Sequence, residues 1–173
     1  WSFASLARDL SRELEEFRAA SGAAGERPKL LVVSGSGVLE PHAVLQNGPA
    51  EVIVLTSEAG AGRVAADHPG VATIVVGEPP FTAARIVAAA AGAGGQLLLC
   101  EGGPTLLGTL LAGHALHELF LSISPVIAGR DPANPRPGLA SGTAAHASAL
   151  HHAELRSVRR AGDLLLLRHR LEL

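Results

Sequence analysis

Short apolar runs alternate with helix-compatible stretches along this chain, and that alternation constrains its fold more than any other feature. Residues 29–34 (KLLVVS), 51–56 (EVIVLT), 71–77 (VATIVVG) and 96–100 (QLLLC) are continuous apolar runs. A run without a polar face reads as a strand covered on both sides, the habit of parallel sheets. Residues 59–67 and 81–93 between them are compatible with helices, and 40–48 read as irregular. Strands alternating with helices predict βαβ units, hence an α/β fold with a mostly parallel sheet. The tail breaks the pattern. Residues 118–128 (ELFLSISPVIA) read as one long strand, and 130–148, rich in Pro, Gly, Ala and Ser, as a long loop. Residues 154–160 and 164–173 read as two strands joined at Ala161-Gly162-Asp163 in a hairpin. The expected architecture is a parallel α/β core ending in an antiparallel pair.

Composition narrows the function. With 47% hydrophobic and 17% charged residues in 173, the chain can bury a core of one domain. Met and Tyr are absent, so that core is built from Ala, Val, Leu and Ile. The net charge is 14 − 16 = −2 and the pI is near 6.5, which gives no bulk attraction to nucleic acid or anionic lipid. No apolar run reaches the length of about 18 residues that a membrane span requires. Cys100 is the single cysteine, so neither an intrachain disulfide nor a Cys-rich zinc site is expected, and a reducing, cytoplasmic setting fits. The chain begins at Trp1 and has no Met, and so reads as processed, trimmed or fragmentary. Phe3, Leu6, Leu10, Leu14 and Phe17 recur at spacings of three and four and predict an amphipathic helix. Residues 1–26 then read as that helix plus a linker, and 27–173 as a single domain.

Residues 97–113 (LLLCEGGPTLLGTLLAG) carry the most chemistry. An apolar run leads into Glu101, then Gly102, Gly103, Pro104 and Thr105, then a helix whose buried face is expected from Leu106, Leu107, Leu110 and Leu111. Pro104 suits a first helical turn, where its missing N–H costs nothing, and Gly113 suits a C-terminal stop. Paired glycines let a phosphate approach the backbone closely, and one of them can take positive φ. The free amides and positive dipole end of the helix then face that phosphate. The pattern is neither a Walker A loop nor GxGxxG. A Gly-Gly-Pro turn is also a common plain connection, so the anion reading stands beside a purely structural one.

The segment CEGGPTLLGTLLAGHALHELFLSISPVIAG resembles the C-terminal reductase domain of the bacterial bifunctional riboflavin-biosynthesis deaminase/reductase. The resemblance extends more loosely back through RPKLLVVSGSGVL and forward to the last strands. It implies a dihydrofolate reductase-like, three-layer α/β/α fold. It also implies an NADPH-dependent reductase that converts a ribosylamino to a ribitylamino group on a phosphorylated pyrimidine, as a homodimer. By position, Glu101 matches a substrate-contacting Glu. Gly102, Gly103, Pro104, Thr105 and Leu106 lie where the family holds the dinucleotide, and Ser34 matches a cofactor-contacting Ser. Two departures stand out. No Ser-x-Asp-Gly-like strand precedes Arg27, so the first strand and helix are expected to be missing, and His117 replaces the first member of the usual acidic pair. The alternative is a non-catalytic or truncated dinucleotide-binding homologue.

Other candidates read as structural. His146, His151 and His152 cluster in sequence without the Cys partners or helical spacing of a metal site, so no metal is expected. Cys100 reads as a small core residue. Arg168 and Arg170 alternate onto one strand face, where charges on an edge hairpin usually face solvent.

Overall fold

A computed structural model of the chain describes residues 8–22, 28–40, 50–127, 129, 133, 138–142 and 150–172. The chain divides into two compact units, Trp1–Pro79 and Pro80–Leu173.

The first unit opens with helix α1 (Arg8–Ala20), inside the stretch where the apolar periodicity predicts one. Its exposed surface carries an Arg12–Glu16 pair at 3.7 Å, and Phe17 of its apolar stripe is 69% exposed. Strands β1 (Leu30–Val33), β2 (Val52–Thr56) and β3 (Ala72–Val75) follow, with helix α2 (Glu58–Asp67) between the last two. The three strands pair in parallel in the order β1-β2-β3. Central β2 explains its own sequence: Ile53, Val54, Leu55 and Thr56 are all buried, so no position can be polar for solvent. Helix α2 starts where Ser57 accepts a hydrogen bond from the Gly60 amide, and it buries Gly60 and Val64. Val54, Leu55 and Val64 are fully buried, and each contributes about 1.5–3 kcal/mol relative to exposure.

The second unit contains helices α3 (Ala83–Gly92) and α4 (Pro104–Ala112), then strands β4 (Glu118–Ile123), β5 (Ala153–Ala161) and β6 (Leu164–Leu171). Thr82 caps α3, whose buried face is Ala83, Ile86 and Ala90, with Leu110 buried on α4. The strands form an antiparallel sheet in the order β4-β6-β5. Ala161 pairs with Leu164 across a two-residue turn, and Gly162 at φ 60° supplies the left-handed residue that a II′ hairpin needs first. A bulge between Leu155 and Ser157 interrupts β5.

The α/β class, the parallel strands and the antiparallel hairpin agree with the sequence reading. The run at 96–100 does not: it is not a strand. Leu97 is 93% exposed and Leu99 77%, while a Cβ on Gly95 would lie 2.7 Å from Leu98 Cδ2 and 3.0 Å from the Ala90 carbonyl oxygen. Gly94 at φ 93° and the side-chain-free Gly95 let this segment turn back on the end of α3. An apolar run becomes a strand only when a neighbour accepts its hydrogen bonds, and among the described residues none of the second unit's strands pairs with it. Strand β4 is also shorter than the run that predicted it, ending at Ile123 before Pro125. The irregular stretch 40–48 lies outside the described residues except Glu40, and so does most of the 130–148 loop.

Candidate active site

Glu101, Gly102 and Gly103 lead directly into α4, and all three are exposed. Gly103 is the N-cap in extended backbone (φ −64°, ψ 174°), with Pro104 in the first turn and no side chain capping the helix. The first amides of α4 are thus left to an outside acceptor, at the positive end of the helix dipole. Neither glycine uses positive φ, contrary to expectation. Their roles differ instead by space. A Cβ on Gly102 would lie 2.6 Å from Leu106 Cδ2, whereas one on Gly103 would meet nothing within 4 Å. Gly102 therefore lets Leu106 pack over the turn, and Gly103 leaves open room beside the amides. Thr105 is exposed and Leu106 half-buried, and the Thr105 carbonyl accepts from Thr109 Oγ1 at 3.0 Å. These residues fit a phosphate group: exposed backbone donors, a glycine open on its Cβ side and no competing side-chain cap.

Two supports of this helix were not legible in the sequence. Gly108 lies in mid-helix because a Cβ there would come within 1.9 Å of the Ser141 carbonyl oxygen, and the Ser141 amide donates to the Pro104 carbonyl at 2.9 Å. The described part of the long loop therefore docks on the first turns of α4. A glycine inside an apolar helix is the signal that could have found it. At the other end, Gly113 does not take the left-handed stop. His114 does, at φ 51°, while its amide and that of Ala115 bond to the carbonyls of Leu111 and Leu110 in a Schellman cap. The His114 and His151 rings meet edge to face at 5.8 Å.

Ser34 lies in the first unit, just after β1 and thus at the C-terminal end of the parallel sheet. Its amide bonds to the Leu55 carbonyl at 3.0 Å and its hydroxyl donates to the Val38 carbonyl at 3.3 Å. The Ser34-Gly35-Ser36-Gly37 turn is more than a plain connection. Ser57 Oγ donates to the Gly35 carbonyl at 2.9 Å, and Arg63 Nη1 donates to the Ser36 carbonyl at 2.5 Å. Gly37, at φ 69°, passes so close to α2 that a Cβ would lie 2.2 Å from the Gly60 carbonyl oxygen. Beneath the turn, Thr56 Oγ1 is buried without a hydrogen-bond partner among the described residues.

The antiparallel sheet carries a separate set of charges. Arg168 binds both carboxylate oxygens of Glu118, and its guanidinium carbon lies 5.7 Å from the Phe120 ring centroid. The Arg168 hydrogen bond holds the Glu118 carboxyl below its ordinary value. A hollow of about 370 Å³ nearby is lined by His117, Glu154, Arg170, Leu171 and Glu172. It includes none of the expected substrate- or cofactor-binding residues, though His117 and Arg170 line it, and all but Leu171 of its lining is exposed. Among the described residues no group of three or more His, Cys, Asp or Glu could hold a metal ion. His151 and His152 are exposed, and His146 lies outside those residues. No helix among them is long and apolar enough to cross a membrane.

The model of the RibD C-terminal domain family matches residues 6–165. The chain belongs to the RibD C-terminal domain family. No curated protein matches it significantly. Among solved structures, it is similar to a pyrimidine reductase-like protein from Corynebacterium diphtheriae, with a TM-score of 0.69 and 21% identity over 93% of this chain and 67% of that one. RibD from Acinetobacter baumannii is similar with a TM-score of 0.64 and 19% identity, over 88% of this chain and 40% of its own. A Thermotoga maritima diaminohydroxyphosphoribosylaminopyrimidine deaminase/5-amino-6-(5-phosphoribosylamino)uracil reductase has a TM-score of 0.62 and 18% identity, over 96% of this chain and 50% of its own. At these identities the likeness is one of fold. The chain spans about two thirds of the Corynebacterium protein and half or less of the two longer chains. Membership in the RibD C-terminal domain family makes it a reductase-type domain of the riboflavin pathway.

Proposed function

We propose that the chain is an NADPH-dependent reductase of riboflavin biosynthesis, converting the ribosylamino group of 5-amino-6-(5-phosphoribosylamino)uracil to ribitylamino. The observation that carries this reading is the uncapped, open start of α4 behind Glu101, Gly102 and Gly103. When bound, NADPH supplies the hydride, and the protein supplies orientation and charge. Gly102, Gly103, Thr105 and Leu106 would hold its pyrophosphate through backbone amides and the helix dipole, with Pro104, which has no N–H to donate, shaping the first turn beside it. In the first unit Ser34 is the candidate cofactor contact, through the hydroxyl oxygen whose proton goes to the Val38 carbonyl. Glu101 accepts hydrogen bonds from the pyrimidine substrate and orients it, and no proton transfer is assigned to it. The acting form is a cytoplasmic homodimer.

The expected result is consumption of NADPH that depends on the pyrimidine substrate. A second reading is a non-catalytic, dinucleotide-binding homologue. It is favoured by the run at 96–100, which leads into Glu101 without being held in a sheet. NADPH binding without turnover selects that reading, and absence of binding rejects both.

A further inference from the structure

Helix α4 has one end that packing holds and one that is left open. Towards its C-terminal end Leu110 is buried, and Gly113 lies so close to α3 that a Cβ on it would collide with the Ala83 side chain. At the N-terminal end no side chain caps the helix, and the segment 96–100 leading into it belongs to no strand. Donors held in place bind a ligand more tightly than donors that must first be ordered. The amides of this end therefore need a support from elsewhere in the chain.

Residues 138–142 provide one, and the whole arrangement lies within the second unit. The Ser141 amide donates to the Pro104 carbonyl at 2.9 Å, which ties the first turn of α4 to a segment distant in sequence. Ser141 comes this close because Gly108, one turn further along the helix, is buried and has no side chain. A Cβ on Gly108 would collide with the Ser141 carbonyl oxygen and crowd its carbonyl carbon and its nitrogen, all of them backbone atoms. Backbone cannot swing aside as the end of a flexible side chain can, so the segment or the helix would have to move. Glycine is also unfavourable inside a helix, because it has more backbone freedom to lose than alanine. In α4 that disadvantage falls at the position facing Ser141, and the contact it permits reaches the turn that carries the open amides.

We propose that residues 138–142 position the open start of α4 for its anionic ligand, with Gly108 as the positioning residue. This rests on the reductase reading above, in which that ligand is the cofactor pyrophosphate, and names the segment that sets how well it is held. Gly108 is buried, so it acts through Ser141 and the Pro104 carbonyl on the orientation of the first-turn amides, not by touching the ligand.

The test combines calorimetric titration of the full chain with NADPH and amide hydrogen exchange of the ligand-free protein. Each variant is measured at a temperature where its own unfolding curve shows it folded. The Ser141 amide is expected to be protected in the wild type and to exchange at least about tenfold faster in Gly108→Ala. Gly108→Ala is expected to bind NADPH about tenfold more weakly. Ser141→Pro, which removes the donor itself, is expected to do the same and carries the test if Gly108→Ala does not fold. Gly113→Ala crowds Ala83 at the other end of α4 and is expected to lower the unfolding temperature while leaving NADPH affinity within about twofold. A Ser141 amide that exchanges equally fast in the wild type and in Gly108→Ala would overturn the proposal. So would wild-type affinity in Gly108→Ala and Ser141→Pro, which leaves the reductase reading standing. Equal weakening by Gly113→Ala would make the effect a general response of the helix and would also overturn it. A wild type that binds no NADPH would overturn the reductase reading together with this one.

Discussion

Arg168 on β6 grips Glu118 on β4 through two hydrogen bonds, Nη2 to Oε1 at 2.6 Å and Nε to Oε2 at 3.0 Å. Strand register places Arg170, not Arg168, directly opposite Glu118, so the pair forms on the diagonal. Phe120, opposite Arg168, lies beside the guanidinium and favours this choice through its π face.

Acid titration follows from that pair. Glu118 is held below its ordinary value first by the Arg168 hydrogen bond, which outweighs the opposing effect of burial, and further by the charges of Arg168, Arg170 and Arg156. A lowered carboxyl stabilises the fold above its unfolded value, and that contribution is lost as pH falls through the folded value. The stability difference between wild type and Glu118→Gln is therefore expected to be constant near neutrality. It should close as pH drops below about 4.3, the unfolded carboxylate value. Denaturant unfolding at a series of pH values measures it, and a difference that widens in acid would contradict the pairing.

Gly103 and Gly102 separate folding from binding. Gly103→Ala places its Cβ in open space at an ordinary φ, so its effect on stability is expected to stay within about 0.5 kcal/mol. The same methyl group fills the room beside the α4 amides and is expected to weaken NADPH binding about tenfold or more. Gly102→Ala meets Leu106 Cδ2, the end of a flexible side chain, and should cost about 1 kcal/mol of stability. Thermal unfolding and cofactor titration of both variants separate the two effects.

Glu101→Gln tests the substrate role. Hydrogen bonds to a charged acceptor contribute about 1.5–3 kcal/mol, so kcat/KM for the pyrimidine is expected to fall about 10- to 100-fold. NADPH affinity should not change. Equal loss of cofactor affinity would move Glu101 to the dinucleotide.

His114→Gly is expected to stabilise the chain by about 0.5–1 kcal/mol, because His114 holds a left-handed backbone that glycine adopts without strain. Loss of the His151 contact subtracts from that gain. Chemical denaturation reads the balance, and a destabilised variant would mean that the ring contact outweighs the backbone strain.

Much of this fold is legible in local sequence. The uninterrupted VIVLT run announces a strand buried on both faces, and Ser57 and Thr82 mark helix starts where they occur. Ala161-Gly162-Asp163 announces the hairpin. The Glu-Gly-Gly-Pro junction was equally readable, because a helix start depends on a few neighbouring residues. The run at 96–100 misled for a physical reason: hydrophobicity demands cover, but only a neighbouring strand makes a segment a strand.

By itself the sequence determined the order and kind of most elements, the α/β class and the position of the uncapped helix. These follow from periodicity, propensity and capping, which act over a few residues. Tertiary structure alone decided which residues far apart in sequence would meet. Arg63 holds Ser36 across 27 residues, Arg168 holds Glu118 across 50, and Ser141 lies on Gly108. Such contacts depend on strand register and on where a missing Cβ lets two backbones approach, and neither is written in any local pattern.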